Sequence, residues 1–82
     1  MYDVLFSDTA KKQFLKLEKR AQEQIGRTIE RIKIRPEHFV ERLVGRSAYK
    51  VRVGDYRLIL DIDAGKLVVL VVEIGHRKNV YK

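Results

Sequence analysis

Residues Tyr2–Phe6 form a short alternating segment, the period-two pattern of a strand with one buried side. Ser7 and Asp8, two residues that cap helices, come next, and the spacing changes. Ala10, Phe14 and Leu17 recur at helical intervals, with Lys11, Lys12 and Lys16 on the other faces. The stretch Leu17-Glu18-Lys19-Arg20 holds neither glycine nor proline, so the break before the next element is short. Ala21, Ile25, Ile29 and Ile32 then mark one face of a second, longer helix. Gly26 inside it costs up to about 1 kcal/mol relative to alanine, which packing can absorb. Pro36 disfavours a helical Arg35 and ends the element there. The two helices read as a helical hairpin laid against a sheet.

The second half alternates with period two. Glu37–Ser47 reads as a loop with a short strand at Glu41–Val44. Tyr49–Leu60 reads as a β-hairpin turning at Gly54-Asp55. That turn pairs Val53 with Tyr56, Arg52 with Arg57 and Val51 with Leu58. Tyr49, Val51, Val53, Tyr56, Leu58 and Leu60 share one face; Lys50, Arg52 and Arg57 share the other, which is expected to face solvent. Ala64-Gly65 makes a second turn, and Lys66–Ile74 follows as a strand apolar on both sides (Leu67, Val69, Val71 and Val68, Leu70, Val72). Such a strand is expected to be central and covered twice. The helical hairpin supplies one cover, which leaves the other for a partner. The order β-α-α-β-β-β predicts an α+β fold: an N-terminal strand and a two-helix hairpin packed on a mainly antiparallel four- to five-stranded sheet.

Eighty-two residues fit one domain, 1–82, near the lower limit for a core that folds unaided. A hydrophobic share of 45% is too high for intrinsic disorder. Cysteine is absent, which removes disulfides and thiolate metal sites and suits a cytoplasmic location. No signal peptide is visible, and the longest apolar run, Leu67–Val72, is too short to span a bilayer. An anionic membrane surface ranks below other partners because the basic residues are spread over helices and strands and not gathered on one amphipathic helix, so no membrane partner is expected. Eighteen basic against 11 acidic residues give a net charge of +7. A field of that sign on so small a protein favours a nucleic acid, an acidic protein, or both.

The basic residues cluster where chemistry can use them. Arg52 opposite Arg57 costs roughly 1–3 kcal/mol of repulsion, a penalty that a polyanion laid across the hairpin removes. The tail Gly75-His76-Arg77-Lys78-Asn79-Val80-Tyr81-Lys82 adds cations, an imidazole and a phenol. With Lys50, Arg52 and Arg57 these are the parts of a metal-free phosphodiester cleavage. That reaction needs a base near the ribose 2′-OH, positive charge on the non-bridging oxygens, and an acid for the 5′ leaving oxygen. Arginine suits the second role because it stays charged and grips phosphate bidentately. His38 reads as an inert loop residue, and Asp61 and Asp63 as the edges of a turn. Arg27, Arg31 and Arg35 stand four residues apart on the second helix. They read either as a solvated face, with Glu23 pairing Arg27, or as a stripe that contacts the phosphates of an RNA.

The pattern Leu43-Val44-Gly45, then Tyr49-Lys50-Val51-Arg52-Val53-Gly54-Asp55-Tyr56-Arg57, then Gly75-His76-Arg77 and Val80-Tyr81, resembles the RelE toxins of the RelE/ParE superfamily. The resemblance covers essentially the whole chain. It implies the toxin half of a toxin–antitoxin pair, inhibited by an acidic RelB-like antitoxin. It also implies an endoribonuclease that enters the ribosomal A site, cuts the bound mRNA by 2′-OH attack, leaves a 2′,3′-cyclic phosphate and needs no cofactor. Carried over by position, Lys50 and Arg52 are the basic pair on the hairpin strand, and Arg57 is the arginine that stabilises the transition state. Arg77 assists the leaving oxygen, and Tyr81 stacks on the substrate or acts as base. Lys78 joins the RNA-binding set. His76 is open between acid–base catalysis and a structural role.

Two other functions stay open beside the nuclease. A ParE-like toxin would inhibit DNA gyrase by protein contact without a nuclease site. A basic RNA-binding module would bind without cutting.

Overall fold

The structure, a computed structural model, describes residues 1–43 and 48–76. Its elements are β1 (Asp3–Phe6), α1 (Asp8–Leu15), α2 (Lys19–Ile34), β2 (Glu41–Arg42), β3 (Tyr49–Val53), β4 (Tyr56–Asp63) and β5 (Val68–His76), with a 3₁₀ turn at Pro36–His38 after α2. Ser7 caps α1: its side chain accepts the Ala10 N–H at 3.0 Å. Pro36 ends α2 as expected, with Arg35 outside the helical region at φ −144°, ψ 81°. Ala10 and Ala21 are buried, and the small side chain of Ala10 lies in the cluster that joins the helices to the sheet.

The five strands are ordered β1-β5-β4-β3-β2. The β3–β4 hairpin has the expected register, with Val53 opposite Tyr56, Arg52 opposite Arg57 and Val51 opposite Leu58. Gly54 has φ 58° and Asp55 does not share the positive φ, the pattern of a type II′ turn. β5 lies between β4, to which it is antiparallel, and β1, to which it is parallel. The sheet is therefore mixed, and the middle strand is β4. The strand expected at Glu41–Val44 is shorter, Glu41–Arg42, and Val44 lies outside the described residues.

Helices cover one side of the sheet. Ile25 and Ile32 from α2 meet Val51, Val53, Leu58, Leu60, Val69, Val71 and Ile74 in one cluster. A fully buried aliphatic side chain of this kind contributes about 1.5–3 kcal/mol. Phe6 and Phe14 close one end edge to face, their centroids 5.6 Å apart. Across the sheet, Val72 and Leu5 are exposed and Val68 and Leu70 half-buried, so among the described residues no helix lies over the second side of β5.

The ladder between β4 and β5 shifts register at Ile59/Leu60: Ile59 pairs with Glu73 and Leu60 with Val71. Val72 is the extra residue of a β-bulge. Two side chains attached to α1 fasten it. Ser7 Oγ donates to the Val72 carbonyl at 2.7 Å, and Gln13 Oε1 accepts the Ile74 N–H at 2.6 Å.

Candidate functional site

On the side of the sheet away from the helices, a cleft of about 240 Å³ is lined by Phe39, Glu41, Lys50, Val51, Arg52 and Arg57. The strands explain the convergence. Lys50 and Arg52 are two apart on β3 and so face the same way, and Arg57 on β4 is the register partner of Arg52. Among the described residues, three cations thus share one wall with a single carboxylate.

Their environments differ. Arg52 is exposed. Lys50 is partly covered and lies 3.7 Å from Glu41, its partner across β2 and β3, whose own side chain is 78% exposed. An ion pair open to water on one side contributes at most about 1 kcal/mol, so an entering phosphate can replace Glu41 at little cost. Arg57 departs from the solvent-facing position expected for it: it is only 5% exposed, with Nε and Nη1 buried. The reason is the strand order. β4 is the middle strand, and neighbours on both sides shade its side chains, whereas the hairpin taken alone leaves that face open. Burial strengthens the field of a guanidinium that cannot lose its proton, which makes Arg57 the group best placed to act on a nearby anion.

His76 lies elsewhere. It pairs with Tyr56 on the helix-covered side, the two rings edge to face with centroids 5.5 Å apart. That placement favours the structural one of its two readings. Arg77, Lys78 and Tyr81 lie outside the described residues, as do Val44 and Gly45. Gly75, two residues before Arg77, is the register partner of Arg57, so β5 ends beside the cleft. His38 is exposed in the 3₁₀ turn, and Asp63 accepts the Lys66 N–H at 3.1 Å to close the second turn.

On α2, Arg27 and Arg31 line a more open groove of about 310 Å³ with Gln24, Thr28, Arg52, Val53 and Gly54. Arg35 caps the end of α2 and does not line this groove. The Glu23–Arg27 ion pair of the solvated-face reading is not formed.

Phe39 and Glu41 are cleft residues that the sequence reading did not select. Phe39 is 41% exposed, available to stack on a planar group. The signal for Glu41 was its place in the short strand before the hairpin, which sets it opposite Lys50.

A family model described as the ParE toxin of a type II toxin–antitoxin system, parDE, matches residues 4–81. Three solved structures resemble the chain along nearly its whole length. The toxin–antitoxin complex RelBE2 from Mycobacterium tuberculosis has a TM-score of 0.85 and 25% identity, over 93% of this chain and 98% of that one. The intact RelBE complex from E. coli gives 0.82 and 27%, over 93% and 96%. The isolated E. coli RelE toxin gives 0.79 and 28%, over 99% and 92%. No curated protein matches the chain.

Proposed function

The chain belongs to the ParE toxin family of the RelE/ParE superfamily, as a toxin of a type II toxin–antitoxin system, and from that premise we propose that it is a ribosome-dependent endoribonuclease. The observation that carries this reading is the cleft that gathers Lys50, Arg52 and Arg57 beside Phe39. Its substrate is mRNA presented in the ribosomal A site. The ribose 2′-OH attacks the adjacent phosphorus, the bond to the 5′ oxygen breaks, and a 2′,3′-cyclic phosphate and a 5′-OH remain.

Each cation has a place in that step. Arg57 offers a desolvated positive charge to the non-bridging oxygens as negative charge grows on them. Lys50 and Arg52 hold the flanking backbone, and Phe39 stacks on a base. Arg77 assists the leaving oxygen, and Tyr81 accepts the 2′-OH proton or stacks. These charges are permanent, so the step needs no metal ion.

The partner is an acidic RelB-like antitoxin. A net charge of +7 draws such a chain in, and the uncovered side of β1 and β5, with Leu5, Leu70 and Val72, gives it apolar surface to bury. A complex held by that surface stays together in salt that strips RNA, because apolar contacts are not screened.

A second reading, gyrase inhibition, has in its favour the ParE description of the matching family. Primer extension on transcripts from a translating extract separates the two. New 5′ ends within open reading frames, absent with a folded Arg57→Ala protein, support the nuclease. DNA damage with intact transcripts rejects it, and so does cutting by Arg57→Ala at the wild-type rate.

A further inference from the structure

Arg52 lines both the cleft on the sheet and the groove between α2 and the hairpin turn. The two depressions therefore adjoin, and the positive wall of one continues into the other through Arg27 and Arg31. We infer that the α2–hairpin groove binds the phosphodiester backbone of a single RNA strand that runs on from the cleft. This rests on the nuclease reading for the identity of the strand.

Three observations support a polyanion here. Arg27 and Arg31 stand one helical turn apart, where like charges weaken a helix. Among the described residues, neither they nor Arg52 forms an ion pair, although Glu23 is spaced to reach Arg27. Three guanidinium groups thus border one groove, and a row of phosphates relieves their mutual repulsion. The turn also closes on α2 at the end of the groove: a Cβ placed on Gly54, whose φ is +58°, would come 3.1 Å from Oε1 of Gln24, and that side-chain tip would have to move by a few tenths of an ångström.

The lining separates RNA from an acidic protein segment. Apart from Val53 it is polar or charged, with Gln24 and Thr28 between the arginines. A docking peptide helix or strand needs apolar anchors, and among the described residues this groove offers one, Val53. A phosphate backbone needs none.

The test uses the full chain and 2′-O-methyl oligonucleotides, which cannot be cut, so binding is read apart from cleavage. Fluorescence anisotropy is measured for a trimer, long enough for the cleft, and for an octamer that reaches the groove. The wild-type protein is expected to bind the octamer more tightly than the trimer. Arg27→Ala/Arg31→Ala, on an exposed helix face, should weaken the octamer roughly tenfold while leaving the trimer unchanged. The slope of log affinity against log salt should fall by about 1.4, the release expected for two phosphate contacts on a single strand. Equal affinity for trimer and octamer in the wild type overturns the inference, as does an equal loss for both in the variant. If the variant loses affinity for polyglutamate and keeps it for the octamer, the groove belongs to an acidic protein and the inference falls. Should transcripts remain uncut while the octamer results hold, the nuclease reading fails and the groove assignment stands.

Discussion

Removing the Gln13 side chain should destabilise the protein well beyond what a partly exposed helical glutamine ordinarily costs. Gln13 Oε1 accepts the N–H of Ile74 at 2.6 Å, at the bulge where β5 steps out of register with β4. Ile74 is 4% exposed, so water cannot readily replace the lost acceptor. A buried N–H left without a partner costs about 1–3 kcal/mol, whereas a substitution on a helix surface changes stability by no more than about 0.5 kcal/mol. Taking about 2 kcal/mol as the central value, Gln13→Ala should lower Tm by roughly 8–16 °C in a domain of this size. Total stability for 82 residues is about 4–12 kcal/mol, so the loss is a large share of it. Urea denaturation gives the free energy, and amide exchange at Ile74 should accelerate more than at other core positions. Gln13→Glu keeps an acceptor and should retain most of the stability. A loss under about 0.5 kcal/mol for Gln13→Ala, with Ile74 protection unchanged, would refute the proposed role of this hydrogen bond.

Further outcomes are accessible to the same measurements. Leu67 is exposed at φ 56°, a conformation that costs a leucine about 1–2 kcal/mol, so Leu67→Gly should raise the urea midpoint. Gly26 sits inside α2 with nothing within 4 Å of an added Cβ, and Gly26→Ala should add about 0.8–1 kcal/mol in a thermal melt. Glu41→Gln removes the carboxylate beside Lys50 and should tighten binding of a cleft-sized oligonucleotide several-fold, with stability within about 0.5 kcal/mol of wild type; an unchanged dissociation constant would mean that Glu41 does not compete for the cleft.

The hairpin was legible because Gly54-Asp55 names its own turn, and a two-residue turn leaves one register. The helices were legible from their apolar spacing and from Ser7 and Pro36 at their ends. Arg57 was placed on the right face with the wrong exposure. Alternation says which side a residue takes, and only the order of strands says how deeply it is shaded. The parallel pairing of β1 with β5 left no local mark, because it joins segments that nothing in the intervening pattern connects. The bulge did leave one. Strict alternation from Val69 and Val71 would put Glu73 against the helices, and the extra residue at Val72 puts Ile74 there instead. A charged residue falling on the core side of an otherwise apolar strand was the available signal. Of the cleft, Lys50, Arg52 and Arg57 could be read from the hairpin. Phe39 could not, since it arrives from a loop whose path depends on where α2 ends, and Glu41 sat in an expected short strand whose pairing with β3 the pattern alone did not fix.

The pairing of β1 with β5 has a consequence for how the protein is made. Ser7 and Val72, hydrogen-bonded in the finished fold, are 65 residues apart in the chain. At about 5–20 residues per second, the first strand waits roughly 3–13 s on the ribosome for its partner to be synthesised. The β3–β4 hairpin needs no such wait and closes in microseconds once it emerges. Contacts of such long separation also slow the final assembly. Arg57 gains the neighbour that shades it only when β5 docks, so the cleft is completed among the last steps of folding. The cleft of a nascent chain therefore stays incomplete until β5 has emerged and docked.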